Sequence, residues 1–323
     1  MRSKEEIEIK RPKDQVNLYG YKNYFDSLKN LFEKDKLPNT ILVSGPKGIG
    51  KSTFVYHFVN YLLSTDEKYK YSYEDFKINP DNSTFKLIQN GTHPNFFSLT
   101  NVSLNEDIKV EQTRKLLKYL NKTTYAKEIK IVLLDNAEFL NLSSSNSLLK
   151  ALEEPSINTL FFIIHDQNFE IIDTIKSRCI EFKIHFTISD KKNILNKITD
   201  DYGLNLGDVD LNKFLYFDTP GNFLKHFLIL KESNLKISED YLSCILYMID
   251  IYRIKKDSEL LNYITLFIEN YYNQLALNNN LNANTYSINK SKILYLITNM
   301  KKFHLDKKNL LFTIDKILKN EKK

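Results

Sequence analysis

Residues Gly45-Pro46-Lys47-Gly48-Ile49-Gly50-Lys51-Ser52 satisfy the pattern G-x-x-x-x-G-K-[ST] in full. Each fixed position has a chemical task. Glycines let the backbone pass close to phosphate oxygens and turn its N–H groups toward them at a helix start. The Lys51 ammonium is expected to reach the β- and γ-phosphates and the Ser52 hydroxyl to take a place on Mg²⁺, with Thr53 continuing the nucleotide-binding run. The chain holds 8 glycines, three of them in this loop, so the pattern is not a by-product of glycine-rich composition. The cofactor implied is ATP or ADP with Mg²⁺.

A phosphate loop needs an acid at the end of a neighbouring strand to hold magnesium. Ile131-Val132-Leu133-Leu134-Asp135 supplies one, although an aspartate closing an apolar strand can also simply cap the next helix. The next position is Asn136, where enzymes that hydrolyse ATP usually carry a glutamate to polarise water. An amide cannot act as a base as the glutamate of hydrolysing P-loop relatives does, so hydrolysis by this chain alone is expected to be weak or absent. Glu138 lies close in sequence and is expected to point elsewhere.

His57, His93, His165, His185, His226 and His304 are scattered without metal-ligand spacing. Cys179 and Cys244 are too few for a disulfide framework or a cysteine metal site. Tyr271-Tyr272 reads as helix packing rather than a base-stacking platform, because no basic cluster surrounds it.

These residues must be held by strands and helices in alternation. Thr40–Ser44 is a buried-strand run ending at glycine, and Val55, Phe58, Val59 and Leu62 come after it at helical spacing. A second strand is expected over 95–100, a helix through Thr113, Leu116, Leu117 and Leu120, and a third strand over 129–134. A helix over 143–154 is stopped by Pro155, a fourth strand covers 159–164 and a fifth 180–186. That order points to a parallel sheet with helices on both faces. After Phe186 only helical patterns continue. The Thr219-Pro220-Gly221 break and the polar stretch 231–240 suggest boundaries, giving an α/β domain over 1–186, a small helical domain over 187–234 and a helical C-terminal domain over 235–323.

The 323 residues carry 42% hydrophobic and 27% charged side chains, as in ordinary globular proteins. The longest apolar runs, such as Leu160–Ile164, are too short to span a bilayer. Met1–Glu6 is charged with no apolar segment behind it, so no secretory signal is expected and the chain reads as cytoplasmic and reduced. A net charge of +6 permits contact with nucleic acid without demanding it.

Further segments carry a resemblance. Ser147-Leu148-Leu149-Lys150-Ala151-Leu152-Glu153-Glu154-Pro155, the strand Phe161–Ile164 and Ser177-Arg178-Cys179 resemble the AAA+ subunits of the bacterial clamp loader. Gly91–Phe96, Ile108–Gln112 and Leu305–Leu311 are similar to segments of the delta-prime branch of that family, within DNA polymerase III. The likeness covers about residues 17–230 well and the rest loosely. It implies an AAA+ domain, a helical lid and a C-terminal collar that assembles a hetero-oligomer. It also implies that Arg178 acts as an arginine finger on ATP bound by an adjacent subunit. The implied partners are the delta and gamma/tau subunits, and through the complex the sliding clamp and primer–template DNA, with no membrane.

Departures sort the branches. Motor subunits carry an arginine after a glycine in the lid helix; in Gly221-Asn222-Phe223-Leu224 that place holds leucine. Residues 64–94 contain no cysteine, so the zinc module of many relatives is not expected. Asn136, Leu224 and the retained Arg178 together favour delta-prime, while the intact loop leaves a gamma/tau-like motor as the alternative. An independent P-loop NTPase or kinase, and a scaffold with a vestigial loop, are the remaining readings. His165 and Asp166, after the fourth strand, both stand where relatives place a nucleotide-sensing residue.

Overall fold

The computed structural model describes residues 9–100, 107–121, 129–156, 158–206, 211–232, 241–256, 258–278, 283–303 and 307–320. Five strands form one parallel sheet: β1 (Thr40–Gly45), β2 (Phe96–Leu99), β3 (Lys130–Leu134), β4 (Thr159–Asp166) and β5 (Ile180–Lys183), in the order β2-β3-β4-β1-β5. Each central strand is buried along its whole length, which is why its sequence is continuously apolar rather than alternating.

Alternation reappears in which face each residue serves. Ile41, Val43, Ile131, Leu133, Leu160, Phe162 and Ile164 join the core on one face. Leu42, Val132, Leu134, Phe161 and Ile163 join the core on the other. Two helices cover the first face: α1 (Lys22–Glu33), with Phe25 and Leu28, and α2 (Lys51–Leu63), with Phe54, Val55, Phe58, Val59 and Leu62. Between α2 and α3 (Ser83–Gln89) a buried amide network closes the chain: Asn60 Nδ2 donates to Asn82 Oδ1 at 2.9 Å, and Asn82 Nδ2 donates to Tyr69 O at 2.7 Å. The second face is covered by Leu116 of α4 (Val110–Leu120) and by Leu148 and Leu152 of α5 (Leu142–Glu153).

Strand boundaries differ from the sequence reading where exposure changes. β4 runs two residues beyond Ile164 because His165 and Asp166 continue the pairing with Ser44 and Gly45. β5 ends at Lys183 and lies at an edge, largely exposed, with Ile180 55% accessible. A four-residue helix α6 (Asp173–Lys176) precedes it.

Beyond β5 the described elements are helices: α7 (Ile188–Asp201), capped by Thr187 with Asp190 in a reciprocal pair, α8 (Leu211–Phe217) and α9 (Pro220–Glu232). Thr219-Pro220-Gly221, expected as a break, is the start of α9, with proline at the first helical position where its missing N–H costs nothing. Four more helices complete the described chain: α10 (Tyr241–Lys255), α11 (Ser258–Asn278), α12 (Ala283–Phe303) and α13 (Lys307–Asn320).

Two compact units result: Met1–Asn205 with Leu211–Leu224, and Leu206–Asp210 with Lys225–Lys323. In the second, each helix from α10 to α13 packs on the next and α13 also packs on α10. Arg253 Nη2 donates to the nearly buried Asp315 Oδ2 at 2.5 Å, tying α10 to α13. Tyr272, 1% exposed, is a packing residue of α11, as expected. His304 and the segment start Leu305-Asp306 lie outside the described residues, as do Met1–Glu6 and most of the 231–240 stretch. Among the described residues, no helix is long and apolar enough to cross a membrane.

Candidate functional site

The loop Gly45–Ser52 leaves the C-terminal end of β1 and enters α2 at Lys51. Gly48 has φ +77°, a left-handed backbone that glycine adopts without strain. Lys51 is 7% exposed, and its Nζ donates to Gly45 O at 2.7 Å and Pro46 O at 2.9 Å, so the ammonium lies inside the curve of the loop. Burial lowers its pKa, while the carboxylates of Asp166, Glu138 and Asp135 hold the charge on it.

Ser52 Oγ donates to Asp135, with 3.1 Å to Oδ1 and 3.0 Å to Oδ2. Two elements far apart in sequence are thereby joined at the residues expected to hold magnesium. Burial raises the Asp135 pKa, against the pull of Ser52 and Lys51. A half-buried carboxylate of this kind gains from a cation. One carboxylate and one hydroxyl suit Mg²⁺, which is held by few protein ligands and completed by phosphate and water. The residues present therefore fit a magnesium nucleotide, with Pro46, Lys47, Ile49 and Thr53 as the rest of the loop and helix start.

Glu138 departs from expectation. Asn136 takes a left-handed conformation, φ +61°, and a 3₁₀ turn over Ala137–Phe139 folds the chain back toward the end of the sheet. Asp166 N donates to Glu138 Oε2 at 3.2 Å, and the carboxylate lies near enough to act on Lys51. Glu138 thus faces the site instead of pointing away. Sequence spacing hid this because the deciding feature is a backbone angle at Asn136.

Of the two sensing candidates, Asp166 pairs in register with Gly45, is 5% exposed, and is the strongest of the carboxylates acting on Lys51. His165 Nε2 instead donates to Phe169 O at 3.0 Å, within its own turn. The start of α9 also meets the loop. Gly221 N donates to Gly48 O at 3.0 Å, Thr219 Oγ1 to Lys47 O at 2.8 Å and Asn222 Nδ2 to Lys47 O at 3.2 Å. Leu224, in the place of the lid arginine, is buried at 2% exposure.

Arg178 lies elsewhere. It sits between α6 and β5, and Ile180 pairs with Ile41 near the start of β1. Gly45 is four residues further along that strand, roughly 13 Å away at the usual rise. Arg178 therefore enters at the end of the sheet opposite the chain's own phosphate loop. Its side chain is 27% exposed and bonded to Glu153 at the end of α5. Cys179 Sγ hydrogen-bonds Ile175 O at 3.1 Å, and burial pushes the thiol up to about 12, so it packs as an unreactive group.

A five-stranded parallel sheet with a phosphate loop after β1, an acid closing β3 and helices after β5 defines a P-loop domain of the AAA+ class. Within that class, the family model described as DNA polymerase III, delta subunit matches residues 20–187, just over half of the chain, and the chain belongs to that family. It is 35% identical over 140 residues to the DNA polymerase III subunit delta′ of Pseudomonas aeruginosa, covering 43% of this chain and 41% of that protein. It is 30% identical over 154 residues to the delta′ subunit of Bacillus subtilis, covering 47% and 44%. The chain thus spans less than half the length of these curated relatives. A DNA polymerase III gamma subunit-related protein of Thermotoga maritima shares the fold, with a TM-score of 0.50 at 16% identity over 93% of this chain and 99% of that one.

Proposed function

We propose that this chain is a delta-prime-type subunit of a clamp loader that binds a magnesium nucleotide, hydrolyses it weakly or not at all, and lends Arg178 to the ATP site of a neighbouring subunit. The observation that carries this is the placement of Arg178 and the phosphate loop at opposite ends of the strands of one sheet. A guanidinium so placed cannot serve the chain's own nucleotide, whereas it is well placed to face another protein. Beside a neighbour's γ-phosphate it would stabilise charge that develops in phosphoryl transfer.

On this chain, the Gly45–Thr53 backbone and Lys51 would bind the phosphates, and Ser52 and Asp135 would hold the magnesium. Asn136 offers no base at the position next to Asp135, which supports weak hydrolysis. The division into residues 1–186, 187–234 and 235–323 is carried in this proposal as nucleotide domain, lid and collar. Delta, gamma/tau, the clamp and primer–template DNA are the partners it requires, in the cytoplasm.

ATP turnover by the purified chain, alone and then with the other clamp-loader subunits and primed DNA, tests the reading. Negligible turnover alone is expected, with turnover in the mixture falling by roughly 10³-fold or more for Arg178→Ala while this chain's own nucleotide affinity stays unchanged. Lys51→Ala is expected to abolish nucleotide binding here. Normal turnover of the mixture with Arg178→Ala would remove the trans role, and robust turnover by the chain alone would make it a motor.

A further inference from the structure

Two of the segments that carry the family likeness, Ser147–Pro155 and Ser177–Cys179, meet through one pair of side chains. Arg178 Nε donates to Glu153 Oε1 at 2.7 Å, and Nη2 donates to the same oxygen. Nη1 donates to Thr174 O at 2.6 Å and to Ser177 Oγ at 3.3 Å. Four of the five guanidinium N–H bonds are thus directed into the chain's own surface, toward two different helices, although the side chain is 27% exposed and Glu153 is 46% exposed. An isolated exposed ion pair contributes little to stability. This cluster differs in that the carboxylate and the carbonyl fix both the position and the plane of the fork.

We infer that Glu153 is the positioning residue for Arg178: it holds the guanidinium in the plane and at the height from which it meets the phosphate of an adjacent subunit. The inference rests on the trans-acting role proposed for Arg178. An unrestrained arginine samples many rotamers, and ordering it only on contact would weaken whatever it does in the transition state. Glu153 orders it beforehand. Because Nε and Nη2 share a single carboxylate oxygen, the second N–H of Nη2 can turn to an approaching anion while Nε and Nη1 stay anchored. Glu153 touches no reacting atom in this scheme; it acts only through Arg178.

The test uses the assembled clamp loader with primed DNA and saturating ATP, comparing Glu153→Gln, Glu153→Asp, Arg178→Ala and the double variant Glu153→Gln/Arg178→Ala. Glu153→Gln is expected to lower kcat about ten- to hundredfold with little change in KM for ATP, and Glu153→Asp to restore part of it. In the Arg178→Ala background, Glu153→Gln is expected to change nothing further. A purely structural glutamate would not give that non-additivity, since its loss would add to the Arg178 defect and reduce incorporation of the chain into the complex. Unchanged or raised turnover in Glu153→Gln, alongside collapse in Arg178→Ala, overturns the inference and leaves the finger standing. Unchanged turnover in Arg178→Ala removes the finger and the inference together.

Discussion

At Asp135, burial opposes the magnesium role proposed for the carboxylate. Its pKa is raised because burial disfavours the anion more than Ser52 and Lys51 favour it. In the unfolded chain the group titrates near 4. The folded state then holds the proton to a higher pH, so stability falls as pH rises from about 4 through the raised value, and the cost persists at neutral pH. Asp135→Asn is expected to raise the denaturation midpoint of the isolated chain at neutral pH, with no gain near pH 3, while losing Mg²⁺-dependent nucleotide affinity. Urea titrations at both pH values check this, and a lower neutral midpoint would mean that Lys51 outweighs burial. That Lys51, Ser52 and Asp135 come together was legible in the sequence, because the chemistry proposed for them calls for those residue types at those positions. Glu138 was not, since its direction depends on the left-handed backbone at Asn136. Glu153 belongs to a recognisable motif, but nothing in a linear string shows that it meets a residue 25 positions on.

Elements were legible to the degree that burial dictated them. β1, β3 and β4 are buried on both faces, and their apolar runs located them to within two residues. β5 is an exposed edge, so its alternating pattern over 180–186 overstated its length. The helix α9 was the larger surprise: Thr219-Pro220-Gly221 read as punctuation, yet it seats a helix end on the phosphate loop. A Cβ on Gly221 would lie 2.5 Å from Gly48 O, a backbone atom that cannot rotate away. Alanine favours helix interiors over glycine by about 1 kcal/mol, but that advantage is small in a first turn. Overpacking costs about 1–3 kcal/mol, so Gly221→Ala is expected to lower stability despite the better helix former. Chemical denaturation of the full chain measures it. An equal or higher midpoint would show that α9 does not rest against the loop.

On the scale of the whole molecule, the sequence distinguished a sheet-containing region from a helical one but could not say which surfaces remain for partners. In the second unit the apolar side chains of α10 to α13 are mostly interior: Ile245, Met248, Ile249, Phe267, Ile268, Ile293, Ile297 and Ile314 are each at most 2% exposed. Against that background Ile288 and Tyr295, both 66% exposed, stand seven residues apart on α12 and so share one face. Ile254 on α10 and Phe312 on α13 are exposed as well, but among the described residues only on α12 do two such groups share a face, which suits the collar role proposed for this region. Glutamate at exposed helical positions away from caps and networks changes stability by about 0.5 kcal/mol or less. Desolvating two such carboxylates in a subunit contact costs far more. The double variant Ile288→Glu/Tyr295→Glu is therefore expected to keep its denaturation midpoint and nucleotide affinity while failing to co-elute with the other clamp-loader subunits in size-exclusion chromatography. Co-elution at wild-type levels would assign assembly to a different surface, and a fallen midpoint would show that these side chains serve the bundle itself.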